Sequence, residues 1–189
     1  MLHKPIKKAW LLYVCLLTLF AGCSKCNKTI SPNDASSLPP ATQVGAYTFG
    51  CMLNGQPWTP VGRQSILVAA NPSANYEPDY RGGAFSVSAD IYSSQPVRLK
   101  EYISVGGIGI NRVGEYNLSN SSILFQYADV AQGISYYSDE DIASNCKLVI
   151  TKLDLTNKII AGTFSFTLEK KDTGKKVTVT DGRFDMKFL

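Results

Sequence analysis

Histidine is nearly absent from this sequence: the single histidine among 189 residues is His3. It lies in an N-terminal segment that, as argued below, we expect to be cleaved. The remaining chain then lacks Ser-His-Asp and Cys-His nucleophile pairs, histidine general bases and nearly all zinc sites. We therefore expect a protein that is not an enzyme and that holds no metal and no cofactor.

Paired carboxylates are the main chemistry that the absence of histidine leaves open. A glycosidase needs two carboxyl groups that face one cleft at a defined separation, and Asp90, Glu101 and Glu115 are candidates. Such residues are also common on the exposed surfaces of sheets, which is the interpretation we prefer. The acidic residues 139–141 lack the spacing and the glycine of a dedicated calcium loop, and they indicate a solvated loop.

The sequence has no apolar run long enough to span a bilayer. Its charge-free apolar run, residues 9–21, is shorter than the roughly 20 residues that a transmembrane helix needs, and lysines precede it. This layout is typical of a secretory signal peptide over residues 1–22. Ala21-Gly22-Cys23 resembles the lipobox of bacterial lipoproteins, although Phe20 stands where leucine is commonest. We expect Cys23 to be lipidated, and a triacylated cysteine is sufficient for stable anchoring.

A large excess of charge is also missing. The whole chain has 19 Lys and Arg residues against 15 Asp and Glu residues, and removal of Lys4, Lys7 and Lys8 leaves 16 against 15, a net charge of +1. The sequence has no basic stripe of the kind that marks a nucleic-acid-binding surface. We therefore expect no nucleic-acid partner.

Residues 24–46 contain few large apolar side chains and many Pro, Ser, Thr and Asn residues. Such a segment cannot bury enough surface to offset the entropy of ordering it. Residues 23–46 are therefore predicted to comprise the lipidated cysteine and a flexible linker that reaches about 25 Å. The linker would hold a single domain, residues 47–189, away from the lipid surface.

Helical periodicity is absent from residue 47 onwards, and the dominant period is two. Apolar and polar residues alternate in residues 84–92 and 162–169, which is typical of antiparallel strands with one buried face. The pair Asn54-Gly55 predicts a hairpin turn. We predict an all-β domain of about eight to ten strands, arranged as an antiparallel β-sandwich or a small barrel, which the pattern does not separate.

The buried positions change parity near the C-terminus of the domain. Val177 and Val179 are odd-numbered, whereas Phe184 and Met186 are even-numbered. An extra residue near Gly182, as in a β-bulge, would produce this change. The alternative is a turn between two short strands.

Two cysteines of the domain, Cys51 and Cys146, lie in apolar strand contexts and share their parity with predicted core residues. They could meet in the interior as a disulfide, which an envelope compartment permits. Closing so long a loop would stabilise the fold by about 4–5 kcal/mol in the chain-entropy account. The alternatives are two separate buried thiols or a disulfide that involves Cys26.

Tyrosine is abundant, and most of the tyrosines suit half-buried strands. The exception is the Pro- and Gly-bounded segment 71–83, where Tyr76, Tyr80 and Arg81 lie near the predicted tip of a long loop. Loops carry function more often than strands, and tyrosine combines apolar area with a polar tip. We predict that these three residues form a binding loop.

Residues 38–60, 150–167 and 177–188 resemble a family of Bacteroidota cell-envelope lipoproteins with a β-rich domain of unknown function. The resemblance implies an envelope location and a fold, and it implies no catalytic mechanism. We predict a lipid-anchored outer-membrane protein. The residues just after Cys23 are basic. Surface export of lipoproteins in such bacteria is expected to need acidic residues directly after the lipidated cysteine, so we predict that the domain faces the periplasm.

Two functions are consistent with the sequence. The first is a non-enzymatic envelope module that binds an unidentified protein or glycan, or serves a structural role. The second is a lipocalin-like carrier of a small apolar ligand, which needs a lined cavity inside a barrel. The many inward-facing Phe, Leu and Ile side chains indicate a filled core and favour the first.

Overall fold

The computed structural model describes residues 37–63, 70–118 and 122–188. In these ranges the regular structure consists of antiparallel β-strands. The strands are β1 (Thr48–Leu53), β2 (Gln56–Trp58), β3 (Ser73–Glu77), β4 (Ala84–Tyr92), β5 (Leu99–Ile108), β6 (Gly114–Asn117), β7 (Ser122–Asp129), β8 (Ile134–Tyr137), β9 (Ile142–Asp154), β10 (Ile159–Glu169) and β11 (Lys176–Lys187). Among the described residues we find no helix with the length and hydrophobicity to cross a membrane.

The strands form two antiparallel sheets. One sheet has six strands in the order β2-β1-β11-β10-β9-β6, and the other has five in the order β3-β4-β5-β7-β8. The hairpin turn predicted at Asn54-Gly55 joins β1 to β2, and both of its residues adopt a positive φ. The prediction of an all-β domain is confirmed, and of the two predicted architectures the structure has the sandwich.

The space between the sheets is filled by aromatic and aliphatic side chains. Phe85 of the five-stranded sheet stacks on Phe184 of the six-stranded sheet with 5.4 Å between ring centroids, and Phe125 packs on Phe166 at 5.2 Å. Burial of one such side chain contributes about 1.5–3 kcal/mol. The alternating strands therefore direct their apolar faces into one common core.

Strand β11 carries the bulge that the change of parity predicts. Between the pairs that β10 and β11 form on either side, β10 has one residue, Ser165, and β11 has two, Thr180 and Asp181. Asp181 has a left-handed backbone conformation with φ 52°. The extra residue allows both Val179 and Phe184 to be buried. Because β11 is continuous across this point, the alternative of a turn between two short strands is wrong.

The described end of the predicted linker, residues 37–46, packs on the outer face of the six-stranded sheet, and we call it the N-terminal strap. Asp185 of β11 holds it. The Asp185 side chain is 1% exposed and accepts hydrogen bonds from Thr42 Oγ1 (2.6 Å), the Val44 amide (3.0 Å) and the Gly45 amide (2.7 Å). These residues therefore differ from the mobile linker predicted for them, because the acceptor that orders them lies far away in the sequence.

Candidate functional site

The outer face of the five-stranded sheet is polar, in contrast to its inner face. Side chains alternate between the two faces of a strand, so Val87, Ile103 and Phe125 are buried. On the opposite face, β4 and β5 present mainly small or polar side chains, including Ser86 and Ser104. The face that turns away from the core therefore offers hydrogen-bonding groups.

This outer face contains an open groove of about 830 Å³. Its floor consists of short residues in neighbouring strands, Ser86 of β4 and its partner Gly106 of β5. A Cβ atom on Gly106 would lie 2.8 Å from the carbonyl oxygen of Phe85, so no larger residue fits there without a shift. The side chains that border the floor are Asn75, Glu77 and Arg81 on one side and Leu124, Gln126 and Asp139 on the other. We call this feature the outer groove.

Next to the outer groove, the same face carries a hydrogen-bonded cluster of tyrosines. Gln126 Nε2 donates to the Tyr102 hydroxyl, and Tyr92 donates to Asp90 Oδ2 over 3.2 Å. Burial and, to a smaller extent, a hydrogen bond with Tyr137 raise the pKa of Tyr102 to about 12. Burial raises the pKa of the Asp90 carboxyl, and the hydrogen bond from Tyr92 lowers it in part. At neutral pH the Tyr102 hydroxyl therefore keeps its proton.

The structure gives the three residues of the predicted binding loop different environments. The segment contains strand β3, in which Tyr76 points inward, is 4% exposed and donates a 2.9 Å hydrogen bond to the Ile110 carbonyl. Tyr76 is therefore a buried strand residue and not the exposed loop residue that the sequence predicts. Tyr80 is 51% exposed, and the guanidinium of Arg81 lies 5.5 Å from its ring centroid. Of the three residues, Arg81 borders the outer groove.

The Cys51–Cys146 disulfide does not form, and both thiols are free. Parity gives the face of a strand but not its place in the sheet, and β11 and β10 lie between β1 and β9. Three strand spacings amount to about 14 Å, whereas the Cα atoms of a disulfide lie about 4.4–6.8 Å apart. Cys51 is fully buried and Cys146 is partly buried. The structure therefore has the alternative of separate thiols for these two residues.

The carboxylates considered for a glycosidase do not share a cleft. Asp90 lies on the outer face of the five-stranded sheet. Glu101 instead accepts hydrogen bonds from Trp58 Nε1 (3.0 Å) and the Tyr127 hydroxyl (3.2 Å). Glu115 belongs to the six-stranded sheet and forms a surface ion pair. The described residues also contain no group of three or more metal-ligating side chains.

Two further candidate residues lie outside these sets. Cys23, the predicted lipidation site, falls outside the described residues. Arg112 was not identified from the sequence, yet it lines a pocket next to the outer groove together with Arg81. The two arginines are far apart in the sequence, and only the pairing of β4 with β5 brings their turns together. No local sequence signal could therefore have found this pair.

Comparison with known proteins gives a family and no function. Residues 84–186 match the model of a family described as "Domain of unknown function (DUF6252)". The match covers more than half of the chain, so the chain belongs to this family. It includes β4 to β10 and nearly all of β11, and it begins after Arg81. No curated protein and no solved structure matches the chain.

Proposed function

We propose that this member of the DUF6252 family is a lipid-anchored protein of the bacterial cell envelope whose β-sandwich is a non-enzymatic binding module. The anchor part of the proposal is supported by the apolar run that ends at Ala21-Gly22-Cys23. The resemblance of residues 38–60, 150–167 and 177–188 to Bacteroidota envelope lipoproteins supports the same location. The outer membrane, with the domain on its periplasmic side, is the location we propose.

The outer groove is the observation that carries the binding function. It combines a volume of about 830 Å³ with hydroxyl, amide and guanidinium groups on one open face. Binding sites generally combine a concave surface with a few polar groups that fix the orientation of the ligand. Because the groove is open and combines hydrogen-bonding side chains with apolar ones, the ligand class that fits it is a chain that presents both kinds of group, such as a glycan or a peptide segment.

The alternative of a lipocalin-like carrier has less support. A carrier holds its ligand between or inside the sheets, and in this domain the rings of Phe125 and Phe166 meet there at 5.2 Å. We therefore place the proposed ligand on the outer face.

Substitution of Cys23 tests the anchor. The Cys23→Ser variant has no thiol to alkylate, so we expect it to lose labelling by an alkynyl fatty acid and to move from the membrane to the soluble fraction. Cys26→Ser is the matched control, and it should keep both label and membrane. A Cys23→Ser variant that is still labelled and membrane-bound contradicts the anchor.

Obstruction of the outer groove tests the binding function. Ser104→Phe places a ring on the floor of the groove, whereas Thr151→Phe places the same ring at an exposed position of the six-stranded sheet. Binding of soluble peptidoglycan fragments and envelope polysaccharides is then measured by NMR shift perturbation. We expect a ligand that binds the wild type and Thr151→Phe but not Ser104→Phe. Equal binding by all three proteins places the ligand elsewhere and contradicts the proposal.

A further inference from the structure

We propose that the pocket between Arg81 and Arg112 binds an oxyanion, namely the phosphate or carboxylate group of a ligand. The pocket has a volume of about 400 Å³, and the residues that line it include Arg81, Arg112, Asn111 and Ser122. We call it the arginine pocket. It was not predicted from the sequence, and it adds a ligand chemistry to the proposed binding function.

The arginine pocket has a strongly unbalanced charge. None of the described residues that line it is acidic. Within the described ranges, every ion pair involves a lysine, so neither Arg81 nor Arg112 has a carboxylate partner. Two arginines that line one pocket give it a positive charge, and an anion bound beside them offsets that charge. A bound oxyanion therefore supplies the charge that the pocket lacks.

The two arginines come from turns that are fixed against each other. Arg81 lies in the turn that joins β3 to β4, and Arg112 follows β5. The Ile110 amide donates to the Gly83 carbonyl over 3.0 Å, and the Tyr76 hydroxyl donates to the Ile110 carbonyl over 2.9 Å. A methyl group on Gly83 would overlap the Ile110 carbonyl, so the close approach requires glycine. The buried Tyr76, expected from sequence to touch the ligand, thus positions the turn that does.

Each turn also has its own internal constraint. Arg81 adopts a left-handed conformation, with φ 49°, and the Gly83 amide closes its turn on the Tyr80 carbonyl at 2.9 Å. On the other side, the Tyr116 hydroxyl donates to the Arg112 carbonyl over 2.9 Å. The backbones that carry both guanidinium groups are therefore fixed before a ligand arrives, which lowers the entropic cost of binding.

The chemistry of the pocket selects an oxyanion. A guanidinium group presents paired N–H donors that match the oxygens of a carboxylate or a phosphate. The arginine pocket is continuous with the outer groove, because Arg81, Ile108 and Ser122 line both. The acidic residues Glu77 and Asp139 lie along the groove and not in the pocket. The remainder of the ligand in the groove is thus expected to carry no negative charge, and this last point rests on the proposed binding function.

Calorimetric titration of the full chain in non-ionic detergent tests the proposal. The probes are inorganic phosphate, glucuronate as a carboxylate sugar, and glucose as the neutral counterpart of glucuronate, in a Tris buffer of low ionic strength. We expect phosphate, glucuronate or both to bind and glucose not to bind, and the stronger of the two anions identifies the oxyanion. Binding should weaken as NaCl is added.

Variants assign the binding to the arginine pocket. Arg81→Asn introduces a residue that tolerates a left-handed backbone, and Arg112→Gln removes the second charge. Each is expected to lower the affinity about tenfold or more. Arg98→Gln, at another exposed position, is the matched control for net charge. Unchanged circular dichroism and melting temperature are the check that the variants are folded.

The outcomes separate this inference from the proposed function. Anion binding that is lost in both pocket variants and kept in Arg98→Gln supports it. Failure of both anions to bind, or an equal effect of Arg98→Gln, overturns it. If Ser104→Phe keeps anion binding, the arginine pocket stands whatever becomes of the outer groove.

Discussion

Replacement of Asp185 by asparagine is predicted to destabilise the domain, because this one carboxylate holds the N-terminal strap. Both carboxylate oxygens accept hydrogen bonds, Oδ1 from the Gly45 amide and Oδ2 from Thr42 and Val44. An asparagine of the same shape keeps one acceptor oxygen. If that oxygen faces Gly45, the new Nδ2 group faces the Val44 amide, donor against donor, while Thr42 can reverse its hydroxyl.

The magnitude follows from the bonds that are lost or weakened. A hydrogen bond to a charged group contributes about 1.5–3 kcal/mol, and an unsatisfied buried group costs about 1–3 kcal/mol. The substitution removes one bond and turns the others into neutral ones. We therefore expect Asp185→Asn to lower the free energy of unfolding by about 2–4 kcal/mol, which is a large part of the stability of a typical domain.

Equilibrium unfolding in urea at pH 7 measures this loss. Trp58 is the tryptophan of the described domain and is 5% exposed, so its fluorescence reports unfolding. The matched control is Asp181→Asn, four residues earlier in β11, where the side chain is exposed and the backbone has φ 52°, a conformation that asparagine accepts. The control should change stability by less than about 0.5 kcal/mol. If Asp185→Asn costs no more than the control, the strap is not held by this carboxylate.

Three further predictions concern acid, thiols and membrane sidedness. Burial raises the pKa of Asp185, but its hydrogen bonds lower it by more, so the pKa lies below the ordinary 3.8. The contribution of Asp185 to the free energy of unfolding is therefore complete above 3.8 and is lost as the pH falls through the pKa of the folded protein. Acid unfolding curves of Asp185→Asn should lack this loss. Burial raises the pKa of both Cys51 and Cys146, but only Cys51 is 0% exposed. A maleimide at pH 8 should therefore label Cys146 first in the native protein, as measured by peptide mass spectrometry. Equal labelling rates would contradict the burial of Cys51. Proteinase K added to intact cells should leave the protein uncut and should cut it after outer-membrane permeabilisation, whereas digestion in intact cells would place the domain on the cell surface.

The sequence predicts those features that depend on local pattern. Alternation gave the strands and the bulge near Gly182, because one extra residue shifts every following side chain to the other face. Alternation could not give the order of the strands in a sheet, and for this reason the predicted disulfide between Cys51 and Cys146 was wrong. The prolines and glycines that bound its segment predict a loop at Tyr76, although the alternation of Tyr76 with Ala74 already has the period of a strand.

The candidate site was less accessible to prediction than the fold. Arg81 was identified because its turn is rich in glycine, but Arg112 becomes its neighbour only through tertiary pairing. The same reason explains the N-terminal strap, whose partner Asp185 belongs to the last strand. Composition reports whether a segment can order itself, and it says nothing about an acceptor that another part of the chain supplies.

The distribution of strand lengths has a consequence for a protein that we propose to be concentrated on a membrane surface. The strands at the edges of the two sheets are short: β2 has 3 residues, β6 has 4, β3 has 5 and β8 has 4. In the interior of the six-stranded sheet, β9 has 13 residues, β10 has 11 and β11 has 12. A long free edge is a template on which a neighbouring copy can add its own strand. The short edge strands themselves offer few unpaired amides for such growth, but β6 pairs with only residues 147–150 of the long strand β9. Among the described strands, the remainder of β9 is therefore the edge on which crowded copies would be expected to pair.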